Sequence, residues 1–409
     1  MNARPSTAAV RTGICEDTAH GAVIPPLYLS SNYTFEGYDR KREYDYTRSG
    51  NPTRDQLATA LARLEHGAGA TITSSGMAAI HLVCSLLEPG DLLLAPVDCY
   101  GGTYRLLDTL SRKGHFEVAF IDQGNPDALG SALARKPRMV MVETPSNPLL
   151  RIVDIERICQ QAHAACDALV VADNTFLSPA LQNPILLGAD IVVHSTTKYI
   201  NGHSDVVGGA AIAANDELHQ QLNWWANCLG LTGSPFDGYL TLRGLRTLNA
   251  RMRLHVENAT AIAEHLVGHR AVQAVYYPGL GTHPGHDIAA RQQRAGGGML
   301  SVELVGGTEE VRAFLDDLEY FSLAESLGGV ESLVAHPATM THAAMAPQAR
   351  RAAGIGDSLL RLSAGIEDAQ DLLRDIDAAL ERVLAVHEPQ ARQHTPENAF
   401  PAASAIAIC

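Results

Sequence analysis

The chain has 409 residues, 46% of them apolar and 19% charged, with a formal net charge of -14. That length exceeds one ordinary core and points to two globular domains. An acidic chain without a basic run offers nucleic acid no electrostatic footing, and no apolar run reaches the roughly 18 to 20 residues of a membrane span.

The N-terminal MNARPSTAAVRTGIC lacks the apolar core of a signal peptide. The seven cysteines are scattered, odd in number and without a CxxC pair. This argues against a disulfide framework or zinc site and fits a cytoplasmic location. Residues 1–55 are rich in Pro, Ser, Tyr and Arg and read as an extended arm rather than core. Helical patterning starts at RDQLATALARLEHG and stops at Gly67. Short apolar strands follow in GATITS, DLLLAP, FEVAFID, RMVMVE, ALVVAD and DIVVHS, with helical stretches such as MAAIHLVCSLLEPG and DIERICQQAHAAC between several of them. Such alternation predicts a doubly wound, mostly parallel α/β domain over residues 56–250. The stretch GYLTLRGLRTLNARMRLHVENATAIAEHLV reads as a helical bridge to a smaller α/β domain, residues 251–388. There AVQAVYYP and GGMLSVELV are strand-like and TEEVRAFLDDLEYF is helical. The Pro/Ala-rich residues 389–409 read as a disordered tail.

In an open parallel sheet, ligands bind beyond the carboxyl ends of the strands. Three such ends carry chemistry. TITSSGMAAIHL runs from a strand through Ser74, Ser75 and Gly76 into a helix, whose free N–H groups suit a phosphate. A tight turn without a ligand explains the same residues equally well. No GxGxxG and no GxxxxGK[ST] occurs, so neither a nicotinamide-binding nor a Walker-type reading is supported. ALVVADNTF ends on Asp173, either a loop-bracing carboxylate or an anion facing a cofactor's ring nitrogen. DIVVHSTTKY places Lys198 after the next strand, beside the hydroxyls of Ser195 and Thr197. A lysine buried there loses its proton readily, and a neutral amine is what imine formation requires. A phosphate cradle, a pyridinium partner and an imine lysine together point to pyridoxal 5'-phosphate.

The motifs DYTRSGNPTRD, DCYGGTYRL, ETPSNPLLRIVDI, VADNTFLSPALQNP, HSTTKYINGHSDVVGG and AESLGGVESL resemble those of the Cys/Met-metabolism, or trans-sulfuration, family of pyridoxal-phosphate enzymes. The resemblance runs from HGAVIPPLYLSS to LLRLSAGIEDAQDLL. It implies a type I pyridoxal-phosphate transferase fold, and a homotetramer built as a dimer of catalytic dimers. It implies that Lys198 holds the cofactor, that Asp173 pairs with its ring nitrogen, and that Tyr100 stacks on the ring. Ser75, Gly76, Met77, Ser195 and Thr197 would hold the phosphate, joined by Tyr46 and Arg48 from a neighbouring subunit, so that each site draws on two chains. Arg361 would clamp the substrate α-carboxylate, supported by Asn147 and Ser326.

The resemblance is strongest to the γ-replacing branch of the family. That branch joins O-succinylhomoserine and L-cysteine into cystathionine and succinate, on the way to methionine. Glu325 and Asp45 are then candidates for holding the second amino acid's ammonium group, and Arg105 for meeting the acyl carboxylate. Each of these three also reads as a plain solvated charge. The alternative is γ-elimination of cystathionine to cysteine, 2-oxobutanoate and ammonia. WWANCLGLTGSPFDGYLTLRGL and the Asp45 and Glu325 pair favour replacement. Methionine-cleaving γ-lyases carry a cysteine where this chain has Gly102, and β-lyases tend to carry an aromatic residue at the position of Glu325. His194, His203, Asp205, His283 and His286 show no HExxH spacing, and no metal site is expected.

Overall fold

The computed structural model describes residues 3–343, 348, 350 and 353–393. A short helix α1 (Pro5–Arg11) and a longer α2 (Pro52–Glu65) precede the first strand. The larger sheet has seven strands: β1 (Gly69–Thr73), β2 (Leu92–Pro96), β3 (Glu117–Ile121), β4 (Met139–Glu143), β5 (Leu169–Asp173), β6 (Ile191–Ser195) and β7 (Gly209–Ala213). Their order is β1-β7-β6-β5-β4-β2-β3. All neighbours are parallel except β7, which runs antiparallel to both β1 and β6.

Every residue of β1, β2, β4 and β7 is buried, as expected for strands covered on both faces. One face packs on α3 (Gly76–Cys84), α4 (Gly101–Arg112) and α8 (Asp216–Leu229), through residues such as Leu82, Leu107 and Leu222 against Met141 and Val193. The other packs on α2, α5 (Pro126–Leu133), α6 (Ile155–Cys166) and the single turn α7 (Ser178–Leu181). The helix starts follow capping chemistry. The side chains of Asn51, Asn125 and Asp154 accept first-turn N–H bonds, and Pro stands at the start of α2 and α5.

The expected bridge between domains is two helices, α9 (Pro235–Leu245) and α10 (Leu248–Leu266). The helical path breaks at Arg246 and Thr247, where the Thr247 hydroxyl turns back to donate to the Gly244 carbonyl at 3.0 Å. Leu248 and Met252 of α10 enter the first core, while Ile262 and Leu266 enter a second. That second core lies under a five-stranded sheet of β8 (Val272–Tyr276), β9 (Met299–Leu304), β10 (Ser322–Leu323), β11 (Leu333–Ala335) and β12 (Leu359–Ser363), in the order β10-β11-β12-β9-β8. Helices α11 (His286–Gln292), α12 (Thr308–Leu315) and α13 (Ala369–Gln393) complete this half.

Three features depart from expectation. The arm is not extended throughout, because Ala8 and Ala9 of α1 are buried in the first core. Beyond α1 the arm does expose apolar side chains, among them Leu29 (67% exposed) and Tyr38 (fully exposed). Strand β7, GAAIA, was not anticipated, because glycine and alanine carry little strand propensity. The C-terminal helix reaches Gln393, five residues into the stretch expected to be a disordered tail; residues 394–409 of that stretch lie outside the described residues. No described helix is long and apolar enough to cross a membrane.

Candidate active site

The carboxyl ends of β4, β5 and β6, the start of α3 and α4, and loops from the second sheet enclose a cavity of about 720 Å³. Thirteen of the sixteen expected site residues line it: Ser75, Gly76, Met77, Tyr100, Arg105, Asn147, Asp173, Ser195, Thr197, Lys198, Glu325, Ser326 and Arg361.

At one end, Ser75 caps α3 by accepting the Ala78 N–H at 3.1 Å. The N–H groups of Gly76 and Met77 find no acceptor among the described residues. A Cβ on Gly76 would stand 2.7 Å from the Ser195 Cβ, so glycine is what lets the helix start lie against the end of β6. The Thr197 hydroxyl donates to the Gly208 carbonyl at 3.2 Å and accepts its N–H at 3.0 Å, which fixes the loop leading to β7. The result is an anion cradle of free N–H groups and hydroxyls at a helix N-terminus.

At the other end, Asp173 Oδ1 accepts the Thr175 N–H at 2.9 Å. Burial raises its pKa, opposed by the Thr175 hydroxyl and amide. Among the described residues no lysine or arginine pairs with it. Glu143 lies in register beside Asp173 and accepts the Tyr100 N–H at 2.8 Å. Burial, and then the Asp173 charge, push the Glu143 carboxyl well above the usual carboxylate range. Glu143 therefore anchors the Tyr100 backbone while leaving Asp173 the better anion. A Cβ on Gly102 would meet the Tyr100 ring at 2.5 Å, so Gly102 leaves this ring its place at the cavity wall.

Lys198 and Arg361 meet through Ser326. The Lys198 amine donates to the Ser326 hydroxyl at 2.8 Å, and the Arg361 guanidinium donates to the Ser326 carbonyl at 2.8 Å. Ser326 holds a left-handed backbone, φ 95°, a costly conformation that clusters at functional sites. Arg361 is 3% exposed and also donates to Asn147 Oδ1 at 3.0 Å. It has no carboxylate partner, and its buried Nε has no acceptor among the described residues. Burial and the Arg361 charge bring the Lys198 amine down to about 8, partly countered by Glu325. Burial lowers Arg361 itself to about 10, so it stays cationic at neutral pH. A buried guanidinium with spare donors, facing a loosely protonated amine, suits a carboxylate beside a reacting amino group.

Glu325 and Arg105 are exposed at the cavity wall, and neither has a hydrogen-bond or ion-pair partner among the described residues. Asp45, Tyr46 and Arg48 do not line this chain's cavity. Asp45 pairs with Lys41 at 2.9 Å, and Arg48 donates to Asn227 at 2.6 and 2.7 Å and lies 5.5 Å from the Tyr46 ring. Among the lining residues not anticipated are Glu143, Thr175 and His342. Glu143 ends an apolar strand as Asp173 does, so the same rule would have found it. His342 is 2% exposed and brought down to about 4 by burial and Arg361, and carries no sequence signal of its own. Of the residues weighed for metal binding, His194 pairs with buried Glu65 at 2.7 Å, and His203 meets the Asn201 carbonyl at 2.7 Å.

A family model described as Cys/Met metabolism PLP-dependent enzyme matches residues 6–381. The chain belongs to this family. It is an enzyme that uses pyridoxal 5'-phosphate, and the geometry fits that group: an open anion cradle, a carboxylate with no lysine or arginine partner among the described residues, and an amine with a depressed pKa share one cavity. Cystathionine gamma-synthase of Escherichia coli strain K12 is 57% identical over 378 residues, covering 92% of this chain and 98% of that protein. A crystal structure of cystathionine gamma synthase from Xanthomonas oryzae pv. oryzae, in complex with aminoacrylate and cysteine, is 64% identical, with a TM-score of 0.93 over 94% of this chain and 99% of that one. Cystathionine beta-lyase of Lactococcus lactis subsp. cremoris is 47% identical over 378 residues, covering 92% of this chain and 98% of that protein.

Proposed function

We propose that the enzyme performs γ-replacement, joining O-succinylhomoserine and L-cysteine into cystathionine and succinate, in methionine biosynthesis by trans-sulfuration. The observation that carries this reading is the 57% and 64% identity to cystathionine gamma-synthases over 92% and 94% of the chain, and the uncommitted charges around one cavity fit it. Buried Arg361 has spare donors, and Glu325 and Arg105 stand unpaired and of opposite sign at the wall. Cystathionine, the substrate of γ-elimination, brings the same two head groups in one molecule, so these charges fit a site for two amino-acid ends, and the identity to cystathionine gamma-synthases weighs the choice toward replacement.

The N–H groups of Gly76 and Met77 and the hydroxyls of Ser75 and Ser195 would hold the cofactor phosphate, and the Thr197 hydroxyl would join them by turning its proton away from the Gly208 carbonyl. Asp173 would face the ring nitrogen, Tyr100 the ring, and Lys198 would carry the covalent link. When bound, pyridoxal phosphate supplies an electron sink for negative charge developing beside the substrate's amino-bearing carbon. Arg361 holds the substrate α-carboxylate, and Asn147 and Ser326 hold Arg361. The Lys198 amine, aimed by the Ser326 hydroxyl, takes the Cα proton and serves again in the proton movements that let the γ-substituent leave. Arg105 meets the succinyl carboxylate. Glu325 draws in the ammonium group of cysteine.

Asp45, Tyr46 and Arg48 do not line their own chain's cavity, which leaves them to serve a neighbouring subunit in this reading. The exposed apolar arm supports a homotetramer of catalytic dimers, with residues 1–55 as the intersubunit arm, 56–250 as the cofactor domain and 251–388 as the C-terminal domain. Unpaired cysteines, three of them buried, suit the cytoplasm. The test is kcat/KM for O-succinyl-, O-acetyl- and O-phosphohomoserine with cysteine, alone and after Glu325→Ala. The proposal expects the succinyl ester to lead and the cysteine KM to rise in the variant. An unchanged cysteine dependence would remove Glu325 from its role.

A further inference from the structure

Lys198 sits on a tight turn, residues 196–201, between β6 and the loop leading to β7. The Asn201 N–H returns to the Thr196 carbonyl at 2.9 Å, and the Gly202 N–H to the Lys198 carbonyl at 2.8 Å. That leaves the carbonyls of Tyr199 and Ile200, which are buried, in need of donors. Arg251 of α10 supplies them. Its guanidinium donates to the Tyr199 carbonyl at 2.8 Å, the Ile200 carbonyl at 3.3 Å and the Gly244 carbonyl at 2.9 Å, and its Nε to the Thr247 hydroxyl at 3.1 Å.

Arg251 is 4% exposed and pairs with no carboxylate among the described residues. A buried cation without a counter-ion is costly, and four well-made hydrogen bonds are what make it tolerable. The turn is shaped around it. Gly202 has φ 71°, and a Cβ there would stand 2.0 Å from the Arg251 guanidinium. One turn on along α10, His255 packs edge-on against the Tyr199 ring at 5.1 Å and bonds the Ala364 carbonyl at 2.7 Å, just after β12 that carries Arg361. Thr247, Arg251 and His255 form one i, i+4, i+8 stripe. The same helix enters both cores.

We propose that Arg251 is a positioning residue for Lys198: its guanidinium clamps the turn that carries the lysine to the helix joining the two halves of the molecule. It never touches substrate or cofactor and acts through the backbone of Tyr199 and Ile200. The clamp sets where the Lys198 amine stands relative to Ser326 and to the cofactor it holds. This rests on the reading of Lys198 as the residue that links pyridoxal phosphate.

The test uses the full chain stripped of cofactor and retitrated with pyridoxal phosphate, following the yellow absorbance of the linked cofactor and its pH midpoint. Thermal unfolding of the stripped protein is recorded alongside. Arg251→Met is expected to weaken cofactor capture by about tenfold or more, as loss of supporting contacts does at metal sites, and to move the pH midpoint. Arg251→Lys, which restores the charge and some donors, is expected to recover part of both. Met252→Ala, on the same helix but facing the first core, is expected to lower the unfolding temperature with capture and midpoint unchanged.

If Arg251→Met is folded yet captures cofactor with wild-type affinity and midpoint, the proposal is overturned. If it does not fold, Arg251→Lys decides: a shifted midpoint supports the clamp and an unshifted one overturns it. If Met252→Ala shifts the midpoint as much as the arginine variants, the effect is general destabilisation and the clamp is rejected. Lys198→Ala separates the two readings. If its yellow, linked absorbance persists, the lysine assignment fails, whatever Arg251 does.

Discussion

The depressed pKa of Lys198 makes a rate prediction. Imine formation needs the neutral amine. With the amine near pKa 8, about one lysine in ten is neutral at pH 7; at the ordinary 10.5 it would be about one in 3,000. Protein stripped of cofactor should therefore capture pyridoxal phosphate at pH 7 about 300-fold faster than an ordinary lysine would allow. The rate should climb about tenfold per pH unit below 8 and flatten above it. Stopped-flow absorbance across pH 6 to 10.5 measures this. The causes can be separated by substitution. Arg361→Met removes a repelling cation and should move the midpoint up. Glu325→Gln removes an attracting anion and should move it down. A midpoint that stays above 10 in the parent protein would refute the reasoning, and so would a downward shift in Arg361→Met.

Because the folded-state pKa of Lys198 lies below its unfolded value of 10.5, the lysine costs stability below pH 8, and the cost fades as pH rises from 8 to 10.5. In stripped protein, Lys198→Met should thus resist urea better than the parent at pH 7, with the advantage shrinking toward pH 10.5. Gly102→Ala places a methyl 2.5 Å from the Tyr100 ring, so the ring must move and cofactor affinity should fall, read by absorbance titration. Glu143→Gln keeps an acceptor for the Tyr100 N–H and should be nearly neutral. Glu143→Ala orphans that N–H and should cost about 1–3 kcal/mol in urea unfolding.

The strands of the large sheet were legible because burial on both faces forces short, unbroken apolar runs, as in LLLAP and MVMVE. β7 escaped because its GAAIA is chosen for closeness. A Cβ on Gly209 would stand 2.1 Å from the Ser75 carbonyl, a constraint visible only once α3 and β7 are adjacent. Asp173 and Lys198 could be singled out because each ends a strand where a charge is expensive. Arg361 could not. It is an ordinary arginine in a strand until β12 pairs with β9 and brings it to Asn147, 214 positions earlier in the chain. Only the family resemblance pointed to it beforehand. His342 and Arg251 owe their surroundings to the same long-range packing and carry no local signature. Tyr46 and Arg48 do not line this chain's cavity, and only the family resemblance pointed to them.

The central claim is that a sulfur nucleophile, rather than water, completes the reaction. Purified enzyme given O-succinylhomoserine and saturating L-cysteine should turn most of the consumed ester into cystathionine, with 2-oxobutanoate and ammonia as minor products by amino-acid analysis and keto-acid assay. If the ester yields only 2-oxobutanoate and ammonia with cysteine present, the replacement account is wrong and the enzyme is an eliminating lyase.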